Sequence, residues 1–457
     1  MQQKRQAWFV APNVGWVWAL AAAVVWGAGL TFAFRSEVGT YLEARIAQPI
    51  DFQLRKSLGR SVPISDKLKV FSLDDTSFAF LNGWVLTLDQ WAAIFQKLDE
   101  NHPRAIVIDA MFGKADGVGG NLEQAISEIK ALKTPIVVGS FLSASPIKIR
   151  EQLKIDRPEY SLESFQAAGA TADQLPPMLD RREWNVYGPS EEFAKAVRYV
   201  GHINYLGYGS VDGLIRIDTK TVISHMSLYG AKERKFVAGK LLLDGVTVPL
   251  DQNGRINVNW LDPDEFADKH NVKLRHLFKI IQDNKPLPQD DVREDDIVLI
   301  LPMMYTGNAD FKTTPFGNLP GGYTHAAMLN SVLTGKWLKP IAGAEALIFV
   351  LALLGALLGM RFGVISFWVM LGVTAAGAVA LSIYLFSYQD VVVPWLFPTV
   401  GYVGAAITVF AEKTRKAEKK VRMLRAALDG AVAPGDLKAI LKKPENVRDR
   451  KSTRLNS

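Results

Sequence analysis

Four long apolar runs break up the chain. The first, residues 14–34 (VGWVWALAAAVVWGAGLTFAF), carries no charge. The other three follow in close succession at residues 342–360, 363–386 and 391–411. A helix needs about 20 mostly apolar residues to cross a hydrocarbon core about 30 Å thick, so each run reads as a membrane-spanning helix. The second reaches that length by borrowing residues just ahead of its apolar core, 346–360. The first is too long for a signal-peptide core and lacks a small-residue cleavage pattern, which makes it a retained anchor. Lys4 and Arg5 precede it, Arg361 sits between the second and third runs, and Lys413, Arg415, Lys416, Lys419 and Lys420 follow the fourth. The loop SYQD at residues 387–390 has no positive charge. Positive charge gathers on the cytoplasmic side. Both termini, beginning with residues 1–13, are therefore expected in the cytoplasm and residues 35–341 outside, in a plasma or bacterial inner membrane. Trp8, Trp16, Trp337 and Trp395 fall near the expected interfaces, where indoles are favoured.

The outside segment changes rhythm. VFSLDD (70–75), RAIVIDAMF (104–112) and PIVVGSF (135–141) are short apolar runs with strand character. Between them, residues 87–102 place Trp91, Ile94, Phe95 and Leu98 on one helical face, and residues 121–133 form a second helical stretch. Strand, helix, strand, helix, strand is the signature of βαβ units around a parallel sheet. Further strands are expected at 201–206, 255–260 and 295–304, a polar insertion at 148–189, and a closing helix at 324–338 that ends near Gly335. The expected fold is an α/β extracytoplasmic domain with a largely parallel sheet, four transmembrane α-helices and a cytoplasmic coiled-coil helix.

Composition refines this picture in two places. The chain has 457 residues and a net charge of +7, but residues 412–457 alone hold 14 Lys/Arg against 6 Asp/Glu. The basic excess belongs to the tail, so a nucleic-acid partner is not expected for the remainder. There is no cysteine, which removes disulfides, thiolate metal sites and cysteine nucleophiles together.

The sharpest polar cluster is Asp74, Asp75, Asp109 and Asp116. In parallel α/β sheets ligands bind beyond the carboxyl ends of the strands. Asp75 and Asp109 would sit at two such ends, with their adjacency left open. The readings are a polar-ligand pocket, a hard-cation site, or caps of the following helices and turns. His102, His202, His225, His270, His276 and His325 form no HExxH and no tight helical pair, so neither a zinc site nor any cofactor is expected. GNLPGG (317–322) lacks the Lys-Ser/Thr of a phosphate loop and reads as a turn before a helix.

These pieces resemble, in order and spacing, the extracellular CHASE sensory domain of the second type, found in membrane-bound cyclases and kinases. The matching segments are SLDDTSF with Gly83-Trp84 downstream, RAIVIDAMFGKADG, GHINYLGYGSVDGLIR, INVNW, and DDIVLILPMMYTGNADFKTTPFGNLPGGYTHAAMLNSVL. The layout of one apolar run before and three after also matches. Where the family shows a Trp-Pro-Trp-like turn, this chain has Trp84-Val85-Leu86-Thr87-Leu88. The resemblance implies a sensory domain with an unidentified external ligand. Asp74, Asp75, Trp84, Asp109 and Asp116 are its candidate contacts.

After the last apolar run, Phe410, Thr414, Ala417, Val421, Leu424 and Leu428 are spaced 4, 3, 4, 3, 4. That is an a/d seam, read either as a parallel homodimer or as a basic helix drawn to anionic lipid. Residues 412–448 are the signalling helix and linker, and 428–444 resemble the linker ahead of class III nucleotide cyclase domains. Residues 449–457, DRKSTRLNS, look like a translated sequencing adapter. The sequence thus predicts a transmembrane receptor whose output, an adenylate or guanylate cyclase, would lie beyond this chain, with no enzyme within it. A kinase sensor and a membrane-anchored periplasmic hydrolase using Asp74, Asp75 and Asp109 are the alternatives. A channel is disfavoured, because Arg361 and Asp390, the ionisable groups near the runs, both sit in loops.

Overall fold

The computed structural model describes residues 15–81, 86–110, 112, 120–143, 145–147, 152–167, 184–205, 209–237, 240–250, 255–303 and 310–428. Trp84, Asp116, the linker 429–448 and residues 449–457 lie outside them. The chain forms two compact units. One gathers residues 1–40, 342–382 and 394–457; the other gathers 41–341 with 383–393.

In the second unit, α1 (Gln48–Ser57) leads into β1 (Leu68–Leu73), α2 (Asp75–Leu81), α3 (Leu88–Asp99), β2 (Ala105–Ile108), α4 (Leu122–Lys130) and β3 (Ile136–Ser143). There follow β4 (Asn185–Tyr187), β5 (Tyr199–His202), β6 (Val222–Ser224), β7 (Asn271–Lys273), α5 (Leu274–Gln282), β8 (Ile297–Pro302) and α6 (Gly322–Thr334). The main sheet runs β7-β1-β8-β2-β3-β5, all parallel, with β4 antiparallel on β3. The sequence places β1 and β2 early in the chain, yet β8 inserts between them. Its run IVLILP is apolar at nearly every position and almost wholly buried, which is what a central parallel strand, covered on both faces, requires.

Alternation along each strand builds two cores. Val70, Val107 and Leu299 face one side with Ala326 and Leu329 of α6. Phe71, Ile106, Val298 and Ile300 face the other, against Trp91 and Phe95 of α3, Ile129 of α4 and Leu277 of α5. The period-two pleat sends neighbours to opposite faces. Helix α3 begins where Thr87 and Gln90 form a reciprocal capping box, and α6 stops at Gly335, whose φ of 67° suits a residue without Cβ. The strands expected at 70–75, 104–112, 135–141 and 295–304 and the helices at 87–102 and 121–133 all form, with ends shifted by a few residues.

The first unit is helical. Among the described residues, three helices are long and apolar enough to cross a membrane: Trp16–Arg35, Ala344–Arg361 and Val364–Gln389. The fourth run departs from expectation. Val391 and Val392 are extended and pair with Lys339 and Pro340, and helix resumes only at Leu396, beyond Pro394. From there one unbroken helix runs 33 residues to Leu428, apolar in its first half and charged in its second.

Glycines let two of these helices meet closely. A Cβ on Gly355 would strike the Tyr402 carbonyl, and one on Gly359 would strike that of Ala406. Small residues four apart permit such backbone approach between membrane helices. Near the bundle's basic end, Lys413 Nζ donates to the carbonyls of Met360 (2.8 Å) and Phe362 (3.0 Å), satisfying acceptors at a helix C-terminus. Within the expected seam, Phe410 stacks on Phe367 of the same chain with ring centroids 4.0 Å apart. Ala417 is half-buried, whereas Val421 and Leu424 are 38% and 39% exposed. Leu428 is the last residue of the helix.

Candidate functional site: a buried histidine cluster and a clamp on the membrane hairpin

Parallel strands bring the residues after β1, β8, β2 and β5 to one edge of the sheet. The aspartates singled out from the sequence divide there. Asp74 caps α2: its carboxylate accepts from the Ser77 N–H (2.8 Å), Ser77 Oγ (2.7 Å) and Thr76 Oγ (2.8 Å), and pairs with Lys273 Nζ at 3.2 Å. Burial pushes its pKa up, but these hydrogen bonds outweigh that and hold it below the usual value. Asp75 opens α2. Asp109, just past β2, lies a strand away from Asp74 and Asp75, because β8 separates β1 from β2.

Asp109 instead faces a histidine. Its Oδ2 lies 3.6 Å from His325 Nε2, with its side chain 16% exposed. Beyond His325 stand two more imidazoles. The His325 and His225 ring centroids are 5.2 Å apart, and so are those of His225 and His202. All three histidines are buried. They come from the end of β5 (His202), the residue after β6 (His225) and the first turn of α6 (His325). In sequence they stand 23 and 100 positions apart, so no local motif announces them.

The hydrogen bonding is incomplete. His225 Nδ1 accepts from the Ser227 N–H at 3.4 Å, which places its own proton on Nε2. Among the described residues that Nε2 and Nδ1 of His325 have no hydrogen-bond partner, and His202 meets only the Asp212 backbone. A buried polar group left unpaired costs about 1–3 kcal/mol, so the cluster is a reservoir of unmet polarity. Burial is the main force on each ring. It drives His202 down to about 3, reinforced by His325. It drives His225 well below the ordinary histidine range, with His202 and His325 adding to the effect. It also lowers His325, although Asp109 and Asp310 pull the other way. Burial raises Asp109, and His325 offsets this in part. All four groups are therefore pressed toward their neutral forms. Among the described residues no three histidine or carboxylate groups converge as a metal-binding set.

A second constellation joins the α/β domain to the end of an apolar helix long enough to cross a membrane. Residues 383–393, the end of helix Val364–Gln389 and the turn after it, belong to the compact unit of the α/β domain. Arg55 of α1 has three partners, one of them in that turn. Nε donates to the Arg60 carbonyl at 2.8 Å, Nη1 to Asn259 Oδ1 at 3.0 Å, and Nη2 to Asp390 Oδ1 at 2.6 Å. The Arg55 and Asp390 side chains are only 7% and 13% exposed. Asp390 sits at φ 58°, a left-handed turn, and its carbonyl accepts from Lys339 N–H at 2.7 Å. Phe386 packs edge-on against Phe52, 4.9 Å between centroids, and the Arg60 guanidinium lies over Tyr388 at 4.7 Å. From the sequence, the only signal was one acid in an otherwise neutral turn between apolar runs.

The model of the CHASE2 domain matches residues 5–360. The chain belongs to the CHASE2 family. CHASE2 domains are sensory and non-catalytic, found outside the membrane in signalling receptors. In this chain the CHASE2 match takes in the first two apolar helices and the whole α/β domain between them. No curated protein and no solved structure matches it. The hairpin clamped by Arg55 through Asp390, and the charged half of the last helix, follow the CHASE2 match in the chain.

Proposed function

We propose that this CHASE2 protein is a multi-pass receptor, with four spans and both termini in the cytoplasm, that regulates a class III nucleotide cyclase joined beyond the last helix. The clamp carries the reading. A buried arginine links the Arg60 carbonyl and the Asn259 side chain of the sensory domain to Asp390, in the turn that follows an apolar helix long enough to cross a membrane. In this reading a change in the sensory domain acts on that helix through these contacts, by favouring one arrangement of the domain over another. The next helix continues without a break from its apolar half into the charged half and delivers the change to the cytoplasmic side. The linker resemblance favours a cyclase output; a kinase output would use the same route.

The test joins a class III cyclase catalytic domain after residue 448 and measures cyclic nucleotide in membranes. Arg55→Lys keeps the charge but loses the planar fork. It should shift basal output at least about fivefold, the lower end of ordinary coupling between sites. Unchanged output from an Arg55→Lys protein that is folded and inserted would refute the coupling.

A parallel homodimer through residues 410–428 completes the proposal. Val421 and Leu424 carry exposed apolar surface, as does Met423 beside them, among the many Lys and Arg of this half of the helix, and at physiological salt the Debye length of about 8 Å screens most of the like-charge repulsion. Cysteines at Ala417, Val421 and Leu424 should crosslink strongly in membranes, and those at Glu418, Arg422 and Arg425 weakly. A profile without a 3.5-residue period would leave a basic helix lying against lipid.

A further inference from the structure

The histidine cluster has no role in the clamp, and beyond the His225 cap on the turn the His225 and His325 rings carry nitrogens without a hydrogen-bond partner among the described residues. We propose that His202, His225 and His325 form a proton-uptake site, through which acidification outside the membrane opens the CHASE2 domain along the seam between α6 and the turn at residues 226–230. The inference rests on the sensory reading and gives it a stimulus.

The geometry favours a proton over a larger ligand. The three rings are mutually packed and buried, and no set of them converges on a metal position among the described residues. An imidazole nitrogen needs only a small separation of its neighbours to accept a proton and reach water. The seam is also polar where it must part: Ser227 Oγ donates to the His325 carbonyl at 3.5 Å, and His225 caps the turn.

The charged surroundings are few. Asp109 follows β2, and Asp310 and Lys312 face His325 from the segment ahead of α6. The Asp212 backbone lies beside His202. Strands β2 and β3, packed against the same turn, bring only apolar and hydroxyl side chains. Asp109 and Asp310 favour a charged His325, Lys312 opposes it, and among the described residues no carboxylate acts on His202 or His225.

The sign follows. Each histidine is held neutral in the closed domain and takes a proton freely only when exposed to water. Closure is thus fully supported above the ordinary histidine value near 6.5 and is lost as pH falls below it. The loss continues until His202 itself protonates, at about 3. Each histidine that is neutral when closed and charged when open shifts the opening equilibrium by up to about tenfold per pH unit.

The experiment uses the full chain in lipid nanodiscs. Hydrogen exchange, corrected for its intrinsic pH dependence, is followed between pH 8 and pH 5 in residues 225–230 and 322–334. Opening should rise at least about tenfold across that range in the wild type. His202→Phe should reduce the rise, and His225→Phe should reduce it further, each measured against the same variant's own exchange at pH 8. If either variant fails to fold, histidine ring NMR of the wild type decides: at least two rings must stay neutral until the seam opens. Flat exchange, or rings that titrate at ordinary values in a closed domain, overturns the proposal. So does micromolar Zn2+ or Ni2+ that blocks opening and binds stoichiometrically at pH 7.5, which would make the cluster a metal site. Seam opening on acidification without any change in joined cyclase output would instead defeat the receptor reading and leave the proton site standing.

Discussion

Replacing Arg55 with alanine is expected to cost the CHASE2 domain about 3–5 kcal/mol. The reason is asymmetric. A buried ion pair contributes little net stability against an apolar pair of the same shape, but removing one partner strands the other charge away from water. Here Asp390, 13% exposed in the intact pair, would lose its cation, and Asn259 and the Arg60 carbonyl would lose donors as well. Thermal unfolding in detergent, followed by circular dichroism, measures the loss. The double variant Arg55→Met with Asp390→Asn should recover most of it, since both charges leave together and asparagine tolerates the left-handed backbone at position 390. A double variant as unstable as Arg55→Ala would place the cost in packing rather than in the stranded charge.

Phe386→Ala should destabilise the same domain by about 3–5 kcal/mol, the range for removing a buried phenylalanine. Phe386 is buried, packs on Phe52 and lies under the Arg55 guanidinium at 5.4 Å. Its loss opens a cavity where the membrane helix enters the domain. Because it touches Arg55, the two effects should not add: the pair Arg55→Ala and Phe386→Ala should fall short of the sum by at least about 0.5 kcal/mol. Strict additivity would mean that ring and guanidinium act independently.

The sequence made the sheet legible because its strands are apolar runs separated by helices with clean faces. VFSL, AIVI and PIVV needed no neighbour to be recognised. Strand order was not legible. β8 comes last of the core strands in the chain and sits at the centre, and only its unbroken apolar character hinted at that place. Asp74 and Asp109 were visible as acids at strand ends, but whether an acid caps its own helix or faces a distant histidine depends on side-chain partners that no local pattern encodes. The histidine cluster was invisible for the same reason. Its members come from three elements, and each taken singly looks like an ordinary histidine. The 4, 3 spacing along the last helix was visible in the sequence. That Phe410 would be occupied by Phe367 was not, because the third apolar helix carries no sign of which face it turns inward.

The unbroken helix from Leu396 to Leu428 sets an angular condition on whatever follows it. Thirty-three residues at 1.5 Å each make a rod of about 50 Å, turning about 100° with every residue. Over such a rod a twist applied at the lipid end reaches the far end as a twist, and the orientation of an attached domain depends on how many residues precede it. A straight helix also drifts by about 20° in each heptad relative to a perfect seam. One inserted residue would turn the output nearly broadside, whereas seven would return it close to its original bearing. A domain joined to this helix would therefore be exchangeable without change of bearing only in steps of whole heptads, and the rotational phase of the junction would matter as much as its length.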